Sequence, residues 1–398
     1  MSDDSAAILL LCAGIGTARR QGPSAPLTNQ EWTSLAEAIR KSQIERPGRL
    51  LNMSATEIGG VLALPPAKSE RLASLLSRGG QLAMELDRWS SAGIWACTRA
   101  DPEYPGALKR VLRRAAPAAL FGIGDVGLLE SRGPGLVVSP DAEGGERFGR
   151  AVGMAAAAVG LTLKTAGVAG PEAVGVEECM QGTGRAVVVG EPLERALRDR
   201  VRRESVMAGR LSVISTRAPG GRALPVGERI RLVAALCHAL LVAPPRGAWG
   251  QTKSFMAGGA GPPVFVWTNG EITSGVSSLL RRGARLVPAG SGAPEGELGD
   301  WLRWAVSAQA LDHPPIDRAR PEGIQGATMY DQFLEALGGQ QKPLTPAEAA
   351  AELGLLEEQA QIWLDMAVRD GLARKASGRY RVVGQASLLP LIDIDRGR

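Results

Sequence analysis

The chain has 398 residues, of which 44% are hydrophobic, 22% are charged and only 4% are aromatic. This balance excludes a disordered chain, and the length predicts two or three globular domains. The net charge of +5 favours polyanionic partners, but the signal is weak because the charge is spread over so long a chain.

The N-terminal segment and the cysteines indicate a cytoplasmic protein. The apolar run Ala6–Ala13 follows two aspartates instead of a basic segment and is too short to cross a bilayer, so we interpret it as a core helix. The four cysteines are Cys12, Cys97, Cys179 and Cys237. They form no CxxC pair, which argues against a zinc site or disulfides and suits a reducing compartment. We expect no membrane contact, no metal and no cofactor.

Residues 1–92 have the pattern of a small helical domain. Trp32, Leu35 and Ile39 recur at helical spacing, and Leu72 and Leu75 do so in a later helix. Short helices joined by glycine and proline predict a module of the SAM or helix-hairpin-helix type.

Residues 93–311 change to short β-branched runs that alternate with helical stretches. The predicted strands are Leu136–Ser139, Leu161–Lys164, Ala186–Val189, Leu211–Ile214, Ala239–Val242, Val264–Trp267 and Ala284–Val287. The predicted helices are Glu146–Val159, Pro171–Met180, Leu193–Met207, Val226–Leu236 and Ser274–Arg282. This order predicts an α/β domain, a doubly wound Rossmann-like parallel sheet covered by helices on both faces.

A linker, residues 312–341, precedes a last domain at residues 342–390. Thr345-Pro346-Ala347-Glu348 is a capping box that starts a helix ending at Leu353, and a second helix follows over residues 357–370. Two short strands, Leu372–Arg374 and Tyr380–Val383, then flank a Ser-Gly turn. Helix, turn, helix and hairpin in this order predict a winged helix.

Several motifs in the same order resemble the DNA-processing protein A (DprA/Smf) family over nearly the whole chain. They are the segment from Gly93 to Gly122, Arg147-Phe148-Gly149, Ala166-Gly167-Val168-Ala169-Gly170, and the helix and strand over Ser274–Leu286.

The resemblance is to a diverged member. Ser139-Pro140-Asp141 stands where the family has Gly-Ser-Arg, and Gly170-Pro171-Glu172 stands where it has Gly-Ile-Asp. Gly227-Glu228-Arg229 replaces its Arg-Asn-Arg run.

The resemblance implies a non-enzymatic protein that binds single-stranded DNA. Such a protein would protect the DNA or deliver it to a recombinase partner, in recombination, uptake or defence, and would act as a homodimer. The mechanism would be electrostatic, with arginines and backbone N–H groups at the carboxyl edge of the sheet holding phosphates.

The predicted DNA contacts lie at strand ends and glycine-bearing turns. They are Lys164, Gly167, Gly170, Arg217, Arg222, Arg229, Gly250, Gln251, Thr252 and Lys253. Both turns sit between a strand and a helix, where backbone N–H groups can hold an anion. At Gly167 and Gly170, a tight turn that needs glycine for its backbone alone is an equally good explanation.

Two other basic regions have competing interpretations. The run Arg195, Arg198, Arg200, Arg202 and Arg203 is interleaved with acids, which favours a solvated, salt-bridged helix face over a DNA site. In the last domain the predicted contacts, with DNA or with a protein partner, are Arg369, Arg374, Lys375, Arg379 and Arg381.

Two alternative functions stay open. One is a nucleotide sensor or nucleotide hydrolase of the lysine-decarboxylase-like Rossmann type, although Pro245–Thr252 lacks the glutamate that follows the corresponding run there. The other is a degenerate scaffold subunit that acts through its winged helix.

Overall fold

The computed structural model describes residues 1–15, 25–167, 169–247, 261–287, 295–307, 343–353, 357–369, 373–376 and 378–382. The chain folds as two compact units, Met1–Pro314 and Pro315–Arg398. The whole of the predicted linker, residues 312–341, lies outside the described residues, as do residues 383–390.

The first unit begins with helices that pack against the sheet. Their bounds are α1 Asp3–Cys12, α2 Asn29–Lys41, α3 Ala55–Leu62, α4 Pro66–Leu76 and α5 Gly79–Ser91. Helix α1 is buried at their centre, and its Leu9 and Leu11 belong to the same core as Phe121 and Ile123 of the sheet. The apolar run at the N-terminus is therefore a core helix. The predicted boundary at residue 93 falls between the end of α5 and the first strand.

Nine strands of the described residues form one sheet in the order β1-β2-β6-β5-β4-β3-β7-β8-β9. They are β1 Ile94–Thr98, β2 Ala119–Ile123, β3 Pro134–Val138, β4 Thr162–Thr165, β5 Arg185–Val189, β6 Leu211–Ser215, β7 Ala239–Ala243, β8 Val264–Val266 and β9 Arg285–Leu286. The strands β3 to β9 are parallel, as the sequence predicts. The sequence did not predict β1 and β2, which extend the sheet beyond β6 in antiparallel pairing.

Helices cover both faces of this sheet. They are α6 Gly106–Leu112, α7 Gly145–Ala158, α8 Pro171–Gln181, α9 Leu193–Arg198, α10 Arg200–Met207, α11 Val226–Leu236, α12 Ser274–Arg281 and α13 Glu295–Ala305. Alternate residues of β3 point to opposite faces of the sheet and belong to different hydrophobic cores. Leu136 and Val138 face α7 and α8, whereas Val137 faces α11. Together, the parallel strands and these two layers make the unit a Rossmann-like α/β fold.

The predicted helix Leu193–Met207 is in fact two helices. Asp199 has extended backbone angles, φ −76° and ψ 124°, and its side chain accepts a hydrogen bond from the N–H of Arg202. An aspartate in this role caps a new helix, which explains the break between α9 and α10.

The contact between α7 and α8 depends on glycine, which yields a testable prediction. A Cβ atom on Gly153 would clash with the carbonyl of Gly175, so alanine at this position must push the helices apart. We expect Gly153→Ala to lower the free energy of unfolding by about 2 kcal/mol. Urea denaturation followed by circular dichroism measures this. Gly182→Ala, where no atom lies within 4 Å of the added Cβ, is the control and should change little; equal stability of both variants would contradict the prediction.

The described part of the second unit contains α14 Pro346–Leu353, α15 Glu357–Arg369 and a hairpin of β10 Ala373–Ala376 and β11 Arg379–Val382. Trp363, Leu364 and Tyr380 form its small core. The elements follow the predicted order, and the assignment as a winged helix stays a prediction. In both units, no helix of the described residues is long and apolar enough to cross a membrane.

Candidate nucleic-acid interface

The strand order places the topological switch point between β3 and β7. The connections from β3 run through β4 and β5 to β6, whereas those from β7 run through β8 to β9 on the other side. Ligands of doubly wound folds bind outside the carboxyl ends of the strands at such a point. The phosphate sites predicted from the sequence would therefore lie along this edge.

The described part of the switch-point crevice is not a basic surface. Arg246, just after β7, donates a hydrogen bond to Glu143 and lies 3.8 Å from the carboxylate of Glu271. These three side chains line a small, shallow cavity together with Trp267 and Asn269. With two carboxylates around one guanidinium, this crevice does not attract a phosphate. The predicted contacts Gly250, Gln251, Thr252 and Lys253 lie outside the described residues.

A buried carboxyl group packs against the turn that follows β4. Glu172, at the start of α8, accepts hydrogen bonds from the N–H of Val138 at 2.9 Å and from the hydroxyl of Thr165 at 2.8 Å. A Cβ atom on Gly167 would clash with Glu172, and Gly170 has a φ of +70°, so both positions require glycine. The structural explanation therefore accounts for both glycines.

Burial in this turn changes the protonation of the carboxyl group. Removal from water raises the pKa of Glu172 to about 7, although the hydrogen bonds from Val138 and Thr165 and the charge of Arg229 act in the opposite direction. Since Glu172 carries a partial negative charge near neutral pH, the turn is a weaker anion site than its glycines suggested.

Arg229 lies across the carboxyl ends of β4 and β5. Its Nη1 donates to the carbonyl of Ala166 at 2.7 Å, and its aliphatic part rests against Gly190, where a Cβ atom would clash with it. Its Nε is buried without a hydrogen-bond partner among the described residues. The predicted site residue Arg229 is thus half-buried at the sheet edge, where its charge faces that of Glu172.

The prediction that Lys164 contacts DNA is wrong. Its side chain is fully buried, and its Nζ donates to the carbonyls of Leu129 at 3.2 Å, Ser131 at 2.6 Å and Leu236 at 2.6 Å. Leu236 ends α11 and Ser131 precedes β3, so the ammonium group lies toward the amino edge of the sheet, away from the carboxyl ends. It neutralises carbonyls at the C-terminal end of a helix, where a cation is stabilising.

Arg217 and Arg222 lie in the loop between β6 and α11. Arg217 donates to the carbonyls of Arg222 and Ala223, which holds the loop together, and the side chain of Arg222 is exposed. The loop contacts α9, because the N–H of Gly220 donates to Glu194. This contact joins the two predicted loop arginines to the basic run on α9 and α10.

The basic run is only partly salt-bridged. Arg202 pairs at 2.6 Å with the buried carboxylate of Glu191, and Arg200 pairs at 2.8 Å with Glu204. Arg198 and Arg203 are exposed and form no ion pair within the described residues. The sequence interpretation as a salt-bridged face therefore missed two available cations. We call this surface the arginine face; its members are Arg195, Arg198, Arg200, Arg203, Arg217 and Arg222.

The cations of the second unit are less available. Lys375 pairs with Asp365 at 3.2 Å and Arg379 with Glu348 at 3.3 Å. Arg374 and Arg381 are exposed on the hairpin, and Arg369 ends α15. The exposed first turn of α15 carries acids, Glu357 and Glu358. A helix with an acidic first turn is poorly suited to lie against phosphates, so the described residues do not favour DNA over a protein partner here.

No family model matches the chain, and no curated protein sequence matches it. The solved structures similar to it include DNA processing protein A (DprA) from Streptococcus pneumoniae, with 21% identity and a TM-score of 0.51, covering 66% of this chain and 91% of that one. DprA from Helicobacter pylori, described for its single-stranded DNA binding mode, shows 14% identity and a TM-score of 0.40, covering 56% and 97%. The resemblance seen in the sequence is therefore confirmed at the level of the fold, and the chain has the Rossmann-like fold of DprA.

Proposed function

We propose that the arginine face of this protein binds the backbone phosphates of DNA, and that the protein performs no chemical step of its own. The observation that carries the proposal is the juxtaposition of exposed arginines on α9, α10 and the loop after β6. The existing ion pairs do not prevent binding, because exposed pairs such as Arg200 with Glu204 are weak and can exchange for a phosphate. The fold shared with DNA processing protein A makes DNA the polyanion to test first.

A salt titration tests this proposal. If the five exposed arginines of the face each neutralise one phosphate, the logarithm of the binding constant should fall against the logarithm of salt concentration with a slope of about −4. Fluorescence anisotropy of a labelled oligonucleotide gives this slope. A binding constant that stays flat from low to moderate salt would contradict the proposal.

A double variant locates the site. Arg198→Ala with Arg222→Ala removes two exposed cations that form no ion pair within the described residues, and should reduce the magnitude of the salt slope by about 2. Arg40→Ala with Lys41→Ala makes the same change in net charge on α2, where both side chains are exposed, and should leave the slope unchanged. Equal losses in both double variants would show that net charge alone drives binding.

The resemblance extends the proposal to a homodimer that delivers single-stranded DNA to a recombinase. Sedimentation of the free protein tests the first part, and capture of a recombinase in the presence and absence of DNA tests the second. A protein that stays monomeric at all concentrations would contradict the homodimer. Recombinase capture that does not depend on this chain would contradict the delivery of DNA to a recombinase.

The switch-point crevice bears on the enzymatic alternative. Glu143 and Glu271 stand beside Arg246 there, so carboxylates are present where a nucleotide hydrolase of the Rossmann type would bind its substrate. Both carboxylates are exposed and interact with the same guanidinium, an arrangement that does not leave a general base free. We expect incubation with nucleoside monophosphates to release no free base; release that is lost in Glu143→Gln or Glu271→Gln would favour the enzyme.

The scaffold alternative is supported by the ion pairs of Lys375 and Arg379 in the second unit. Removing residues 342–398 separates the alternatives, because the chain divides into two compact units. Unchanged DNA binding with lost partner capture would assign the second unit to protein contact. Loss of DNA binding would assign it to DNA.

A further inference from the structure

The arginine face lacks the groups with which proteins usually select single strands. Proteins that bind single-stranded nucleic acid combine a positive groove with aromatic side chains on which the bases stack. The sequence contains no aromatic residue between Phe148 and Trp249, a stretch that includes α9, α10 and the loop after β6. The face therefore supplies charge and no stacking surface of its own.

The other elements that the structure describes do not supply an exposed ring either. Every aromatic side chain in the described part of the chain is buried or half-buried. The half-buried ones are engaged: Trp95 lies against Gly122 and donates its Nε1–H to the carbonyl of Gly124 at 2.8 Å. Trp301 and Trp304 pack edge-on against Phe265. Trp249, Phe255, Tyr330 and Phe333 lie outside the described residues.

Without stacking, the charge density of the polymer decides which nucleic acid binds more tightly. A duplex carries one negative charge per about 1.7 Å of its axis, and each neutralised phosphate contributes about −0.9 to the salt slope, against about −0.7 for a single strand. Release of the more strongly condensed counterions of the duplex therefore gives the larger gain at low and moderate salt.

Because α9, α10 and the loop after β6 bring exposed arginines together and contain no aromatic ring, we infer that the arginine face prefers double-stranded DNA to single-stranded DNA and reads no base sequence. The inference rests on the proposed function and specifies the form of its ligand. It differs from the prediction that the sequence resemblance supplied. Five phosphates give salt slopes of about −4.5 for the duplex and −3.5 for the single strand, so the ratio of duplex affinity to single-strand affinity should grow about tenfold for each tenfold fall in salt concentration.

The test compares a mixed-sequence oligonucleotide with its duplex of the same length, each with the full chain across a salt series. Tighter duplex binding with the steeper salt slope supports the inference. The double variant Arg198→Ala with Arg222→Ala must also reduce the difference between duplex and single-strand affinity, whereas Arg40→Ala with Lys41→Ala must leave that difference unchanged. A second unrelated sequence should bind with the same affinity. Equal or tighter binding of the single strand overturns the inference and leaves the proposed function intact. Failure to bind either form, or salt-independent binding, overturns the proposed function itself.

Discussion

Lys164→Met should lower the free energy of unfolding by about 4 kcal/mol, because it removes a buried ammonium group and leaves its partners without hydrogen bonds. The three donors of the ammonium group meet three carbonyl oxygens, those of Leu129, Ser131 and Leu236. Burial lowers the pKa of Lys164 to about 8, so the side chain is still charged at neutral pH. Methionine has a similar length but offers no donor.

Urea denaturation of both proteins at pH 7, followed by circular dichroism, measures the difference. Lys68→Met is the matched control, because Lys68 is exposed on α4 and its replacement should change stability by less than about 0.5 kcal/mol. DNA affinity of the folded Lys164→Met protein should equal that of the wild type, since the side chain does not reach the surface. A stable variant with reduced DNA affinity would restore Lys164 as a contact and refute the structural role.

The sequence was a good guide to the regular elements and a poor one to tertiary partners. The parallel strands are buried on both faces, so β5 and β7 appear as short continuous apolar runs that predict strands directly. The strands β1 and β2 are also short and largely apolar, but they precede the alternation of strand and helix by which the other strands were recognised. Their place in the sheet comes from antiparallel pairing of β1 with β2 and of β2 with β6. Pairing of that kind leaves no local pattern.

The site was harder to predict for the same reason. Lys164 precedes a glycine turn and was assigned to the ligand edge, but its partners lie 33 to 72 residues away in the sequence and fix it on the opposite side. Arg202 and Arg198 have similar sequence surroundings. The helix break at Asp199 places Arg202 beside the buried Glu191, with which it forms an ion pair, whereas Arg198 stays exposed.

The pH dependence of stability should reveal the buried carboxyl group of Glu172. Its pKa is raised from 4.5 to about 7, so the folded protein binds more protons than the unfolded chain between these values. Within this window the free energy of unfolding must fall as pH rises, and the contribution of Glu172 is lost by about pH 7. At about 1.4 kcal/mol per pKa unit, the total change is at most about 3 kcal/mol.

The variant Glu172→Gln isolates this contribution from those of other groups. Its amide oxygen can still accept from the N–H of Val138, while its NH2 group can face the hydroxyl of Thr165, so the packing is kept and the titration is removed. The stability of the variant must be subtracted from that of the wild type at each pH, because His238 also titrates in this range. Burial lowers the pKa of His238 to about 4, so its contribution to stability changes with pH in the opposite sense.

Urea denaturation from pH 4.5 to 7.5 should show the wild type losing stability relative to Glu172→Gln as pH rises. Glu177→Gln, exposed on the same helix, should parallel the wild type. Parallel curves for all three proteins would mean that Glu172 keeps an ordinary pKa, and the glycine turn would then carry a full negative charge at neutral pH.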